Sequence, residues 1–135
     1  MSSTPFSARL DSSLLARLKR LSGRERIPVS QLVERYLEEA VRVEELPGIV
    51  FRSGPAGRRA GVVGGPDVWE IVRDVQAAKE TGGKDPVGHV LETTDLGEEQ
   101  VRLALAYHVA FPDEVDSRIA EEADLTARLV RATTA

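Results

Sequence analysis

The chain has 135 residues, 41% hydrophobic and only 4% aromatic, with 18 Lys/Arg against 22 Asp/Glu and a net charge of −4. That length holds one ordinary domain or two small ones, and a core so poor in aromatics must be built from Leu, Val, Ile and Ala, which suits small helical units. The absence of cysteine excludes disulfides and thiolate metal sites. The N-terminus has no apolar secretory core, and no apolar run approaches the ~20 residues that span a bilayer, so the expectation is a cytoplasmic protein without a membrane partner.

Residues 1–3 read as a loose arm. Phe6, Ala8 and Leu10 then alternate with Ser7 and Arg9, the period of a short strand with one apolar and one polar face. A lone strand of this length lacks both backbone partners and a cover for its apolar face. The same strand of a second copy supplies both, as an antiparallel ribbon that fits the DNA major groove. Asp11 suits an N-cap, with Ser12 and Ser13 in the first turn. Leu14, Leu15, Leu18 and Leu21 recur at helical spacing. Gly23 and Arg24-Glu25-Arg26 break that pattern. Ser30 reads as the cap of a second helix carrying Leu32, Val33, Tyr36, Leu37, Ala40 and Val41. Leu46-Pro47-Gly48 is a natural boundary, since Pro stops a helix and Gly frees the chain. The expected domains are therefore 1–46 and 47–135.

Six of the eleven glycines lie in residues 48–65. Ile49-Val50-Phe51 and Ala60-Gly61-Val62-Val63 flank Gly54-Pro55-Ala56-Gly57, which suggests a β-hairpin. The same stretch lacks the Gly-Lys-Ser/Thr ending of a phosphate loop. Pro66-Asp67 opens a helix with Val68, Ile71, Val72 and Val75 on one face and Trp69 beside it. Glu80 to Lys84 reads as a loop. Asp85-Pro86 opens a short helix with Pro at its favoured first position. Thr94 to Gly97 is a turn. Glu98 to Ala110 is a helix with Val101, Ala104, Leu105 and His108 on one face. Phe111-Pro112-Asp113-Glu114 starts a last helix carrying Val115, Ile119, Leu125 and Leu129. The fold class expected is mainly α.

Charge is unevenly distributed. Residues 1–30 hold Arg9, Arg17, Lys19, Arg20, Arg24 and Arg26 against Asp11 and Glu25, a local +4; residues 47–135 hold ten basic and fifteen acidic residues, a local −5. Phosphate attraction therefore concentrates at the N-terminal end, and the acidic remainder repels DNA and favours a basic protein partner.

Over residues 4–44 the chain resembles the ribbon-helix-helix family of the Arc/MetJ/CopG type, on the stretches F-S-A-R-L-D and V-S-Q-L-V-E-R-Y-L. The resemblance implies a dimer, one strand and two helices from each copy. Its core would be Phe6, Ala8, Leu10, Leu14, Leu18, Leu32, Tyr36 and Leu37. It also carries base contact onto Ser7 and Arg9, more weakly onto Pro5. An outward Arg9 can donate two hydrogen bonds to guanine; Ser7 can donate or accept, so its base preference stays open; Pro5 offers shape alone. Phosphate contact falls on the first N–H groups of the second helix, near Val29, Ser30 and Gln31.

Over residues 47–117 the chain is similar to the small helical domain of VapB-like antitoxins, which often looks like a helix-turn-helix unit. R-R-A-G-V-V-G-G-P-D-V-W-E-I-V and L-G-E-E-Q-V-R-L-A-L-A-Y-H-V-A-F-P-D-E-V-D carry the likeness. Gly97, where such families usually have a Ser or Thr cap, and the long stretch from Glu80 to Asp95 depart from it. Glu98 and Glu99 at the start of the would-be recognition helix argue against DNA contact there.

Together these likenesses imply the antitoxin of a type II toxin–antitoxin pair. Such a protein dimerises, binds operator DNA to repress its own operon, and blocks a PIN-like ribonuclease toxin. Candidate toxin-binding residues are Trp69, Tyr107, Leu125 and Leu129. For Trp69 a place in the core or at a domain interface is the competing role, and the tail from Asp124 either packs on its own domain or clamps a partner. The alternative is a free-standing regulator whose second domain binds an effector or stabilises the dimer. No Ser/His/Asp set, carboxylate pair or metal-ligand spacing emerges, and His89 and His108 are the only histidines. The expectation is a protein that is not an enzyme and holds neither metal nor cofactor.

Overall fold

The computed structural model describes residues 2–134. In chain order the described elements are α1 (Ser12–Glu25), α2 (Val29–Glu45), β1 (Ile49–Gly54), β2 (Gly57–Val62), α3 (Val68–Glu80), α4 (Pro86–Thr93), α5 (Glu98–Ala110) and α6 (Pro112–Thr134). They form two compact units, the first extending through Val41 and the second starting at Arg42. The division falls inside α2 rather than at Leu46-Pro47-Gly48. The reason is that Arg42 bonds to Tyr107 and Glu114, so the last turn of α2 belongs with the second unit.

The first unit begins with a departure from expectation. Residues 2–10 form no hydrogen-bonded strand, and every one of their side chains is exposed. A strand exists only through the ladder of a neighbour, and no described segment of this chain offers one. Asp11 caps α1 as expected, its carboxylate accepting from the backbone N–H groups of Ser13 and Leu14. The helix runs through Gly23 and stops at Glu25, where Arg26 takes the left-handed conformation (φ 58°). Its amide closes the last turn onto the Ser22 carbonyl. The Arg35–Glu25 ion pair (2.8 Å) links α2 to the end of α1. Leu18 and Leu32 are the buried apolar side chains of this unit, while Phe6, Leu10, Leu14, Leu37 and Val41 are exposed.

The second unit has a full core. Ile49, Val62, Val68, Ile71, Val72, Val90, Val101, Ala104 and Val115 are buried in one cluster. Each large aliphatic residue so buried is worth about 1.5–3 kcal/mol. β1 and β2 form the expected antiparallel hairpin, with Gly54 opposite Gly57 and Pro55-Ala56 at its tip. Gly57 has φ 100°, a conformation that glycine adopts without steric cost. Gly48, at φ 104° just before β1, lets Leu103 come close: a Cβ there would sit 2.8 Å from Leu103 Cδ2.

Val68, Ile71, Val72 and Val75 all turn inward on α3, as their spacing predicts. Asp85 caps α4 by accepting from the Gly88 amide (2.9 Å), and Pro86 opens it. α5 is rotated from the expected face. It buries Val101, Ala104 and Tyr107, while Leu105 and His108 are only partly covered. On α6, Val115 is buried and Ile119 packs against the core, but Leu125 and Leu129 are exposed.

Candidate nucleic-acid interface

Ser7, Arg9 and Pro5, the expected base-contacting residues, are all exposed and precede the α1 cap. The cap sets where this segment ends. Hydrogen bonds from the Ser13 hydroxyl and then from the Leu14 and Ser13 amides hold the Asp11 carboxyl below its ordinary value, so it stays charged and keeps its grip on the helix start. Beyond it, Arg17, Lys19, Arg20 and Arg24 are exposed along α1. The basic character of the N-terminal end is therefore on the surface, where phosphate can meet it.

The second expected contact is the start of α2. The helix begins at Val29, one residue before the anticipated cap, and the Leu32 amide closes its first turn on the Pro28 carbonyl (3.1 Å). Ser30 thus sits within the first turn instead of capping it. Val29 is half-buried, and Ser30 and Gln31 are exposed. No acidic side chain lies in this first turn. The positive end of the helix therefore has no carboxylate of its own first turn beside it.

The residues expected to form a dimer core divide in the single chain. Leu18 and Leu32 are buried and Tyr36 is partly covered, whereas Phe6 (85% exposed), Ala8, Leu10, Leu14 and Leu37 face solvent.

The second unit carries the candidate partner-binding residues. Tyr107 is fully buried, so it is a core residue and offers no docking side chain. Its hydroxyl donates to Glu114 and accepts from Arg42 (2.7 Å), and the Arg42 guanidinium also lies 3.7 Å from the Phe111 ring centre. Burial, then the Glu114 carboxylate, pushes the Tyr107 phenol far above its ordinary range. Burial works against the Arg42 charge, but Glu114 and Tyr107 outweigh it and its pKa rises. Trp69 is partly buried. With Arg58, Ala60, Val115 and Arg118 it lines a surface cavity of about 170 Å³. Leu125 and Leu129 are exposed.

Two features were missed in the sequence. The first is the Asp67 cluster: the carboxylate, 7% exposed, accepts from Arg52 (3.2 Å), Arg59 (2.5 Å) and the Trp69 indole (3.3 Å). A signal existed, because hairpin register sets Arg52 opposite Arg59, and two like charges across a ladder call for an anion between them. The second is Gln100. It accepts from the Gly97 amide (2.9 Å) and donates to the Val63 carbonyl (3.1 Å). Gln100 therefore makes the half of a capping box that runs from the third helical residue back to the cap's own amide, not the bond a Ser or Thr side chain at position 97 would accept, and also ties α5 to the end of the hairpin.

Residues 4–44 match the family model described as ribbon-helix-helix protein, copG family. The chain thus carries an N-terminal ribbon-helix-helix domain, which points to DNA binding and transcription regulation. No curated protein and no solved structure matched the chain. Among the described residues no helix is long and apolar enough to cross a membrane.

Proposed function

We propose that this protein is the antitoxin of a type II toxin–antitoxin pair: a homodimeric, DNA-binding autorepressor that also neutralises a PIN-like ribonuclease. The observation that carries the DNA-binding half is the exposed apolar set Phe6, Leu10, Leu14 and Leu37, lying within the segment matched to the ribbon-helix-helix model. A unit with so little buried apolar surface is too small to be stable alone. A second copy covers these side chains and supplies the missing ladder for residues 6–10. Ser7 and Arg9 then enter the major groove, with Pro5 at the edge, and Val29–Gln31 hold the flanking phosphate.

The acidic second unit is the toxin-binding half. A nuclease holds RNA with basic residues, so an acidic surface suits it. Trp69, Leu125 and Leu129 are the accessible apolar contacts; buried Tyr107 acts through the shape of the core.

The test has two arms. In footprinting on DNA upstream of its own gene, Arg9→Ala is expected to lower specific affinity by ~1–3 kcal/mol and relax sequence choice. An unchanged footprint removes Arg9 from the groove. In co-expression, a chain beginning at Arg42 is expected to neutralise a toxic product of the neighbouring gene. If it does not, while the full chain still represses, the free-standing regulator is the better description.

A further inference from the structure

Between Asp11 and Glu25 the chain carries four basic residues and no acid. Three of them, Arg17, Arg20 and Arg24, stand three and four residues apart, so they share one face of α1. All three are exposed, and with the half-buried Leu21 they line a shallow surface groove of about 350 Å³. Other arginines of the chain are matched to carboxylates: Arg35 to Glu25, Arg73 to Asp74, Arg102 to Glu98 and Arg118 to Glu122. Among the described residues no ion pair joins Arg17, Arg20 or Arg24, and Glu25, the acid next to Arg24 in the chain, is taken by Arg35. Like charges three and four residues apart lower the stability of a helix. The stripe therefore costs α1 stability until an external anion meets it.

We propose that Arg17, Arg20 and Arg24 of each copy hold the sugar-phosphate backbone of DNA, in a contact without base preference and separate from the one at Val29–Gln31. The contact presupposes that the protein binds DNA, as proposed above, but not that Ser7 and Arg9 read bases or that a toxin exists. Two features favour nucleic acid over an acidic protein surface. The stripe lies within residues 4–44, the segment matched to the ribbon-helix-helix model. Its floor is Leu21 and no aromatic side chain stands among the arginines, whereas protein interfaces are built around buried aromatic or arginine anchors in packed pockets. Repeated charge in a line is what a phosphate backbone asks for. Arg17 to Arg24 rises ~10 Å along the helix, so one face can follow adjacent phosphates of a strand. The guanidinium fork gives each phosphate two donors. Such a contact fixes how the protein sits on the duplex and adds affinity for any sequence.

The test uses the full chain with Arg17→Gln, Arg20→Gln and Arg24→Gln combined. Glutamine keeps the helix propensity of arginine. Parent and variant are titrated onto two fluorescent duplexes, the DNA upstream of the gene and a shuffled duplex of equal length, at several salt concentrations. Affinity is expected to fall at least tenfold, by the same factor on both duplexes. The slope of log affinity against log salt is expected to become shallower by up to about 5, ~0.9 for each of six phosphates held by two copies. Each single Arg→Gln variant is expected to take about a third of that change, and lysines at the three positions to restore the slope. Arg102→Gln, Arg128→Gln and Arg131→Gln combined make the same charge change in the second unit and are expected to leave the slope alone. If the parent binds but the slope is unchanged in the stripe variant, or the second-unit variant loses as much, the stripe is overturned and DNA binding stands. A loss confined to the upstream duplex overturns the sequence-independent contact. Intact DNA binding with loss of a higher assembly in sedimentation assigns the stripe to an acidic protein surface instead. A parent that binds neither duplex overturns the DNA-binding reading itself.

Discussion

Asp67 shows how much one side chain can organise. Two arginines face each other across the hairpin, and the carboxylate that opens α3 sits between them and also accepts from Trp69. Hairpin, helix start and indole are thus held by a single anion. Replacing it with Ala leaves two facing guanidinium groups without their shared anion, Arg52 keeping its bonds to the Val62 and Gly65 carbonyls. Because both guanidinium groups keep some contact with water, the expected loss is that of hydrogen bonds to charged groups, roughly 1.5–3 kcal/mol, read by chemical denaturation. Asp67→Asn keeps the volume and one acceptor and is expected to lose less. A variant as stable as the parent would make the cluster a surface ornament.

At the level of elements, both ends of the first helix and the hairpin turn on backbone demands. Gly48 and Gly57 share a positive φ, but only Gly48 has a neighbour where a Cβ would go. Gly57→Ala is expected to cost about 1 kcal/mol through strain alone. Gly48→Ala must also push Leu103 aside and is expected to cost more; equal losses in thermal denaturation would deny the close approach. Asp11 adds a pH dependence. Its folded pKa lies below the ordinary 3.8, so its contribution is present above that value and is lost as pH falls through the folded one. Helix content by circular dichroism should therefore show an acid decline that Asp11→Ala flattens, the variant being less helical at neutral pH.

For the whole molecule, the contrast between the units decides what each can do alone. The second buries a continuous aliphatic cluster, whereas the first buries Leu18 and Leu32 and exposes Leu14 and Leu37. Leu14→Glu with Leu37→Glu is therefore expected to abolish pairing through the first unit, read by sedimentation, and DNA binding with it. The thermal transition of the second unit should stay in place. A double variant that still dimerises through its N-terminal segment would sink the assignment of these leucines.

The elements arose from local chemistry. Asp11 and Asp85 as caps, Pro86 at a helix start, the glycine-flanked hairpin and the inward valines of α3 depend on neighbours a few residues away, so periodicity and turn residues determine them. Tertiary packing decided the rest. It rotated α5 to bury Tyr107, because a phenol can go inside only where partners such as Arg42 and Glu114 meet its hydroxyl, and Arg42 lies far away in the chain. It took Asp67 from simple cap to hub, placed the unit division at Arg42, and left the end of α6 uncovered. Residues 6–10 mark the limit of both: alternation specifies which side chains share a face, but a strand is completed only by the backbone that bonds to it.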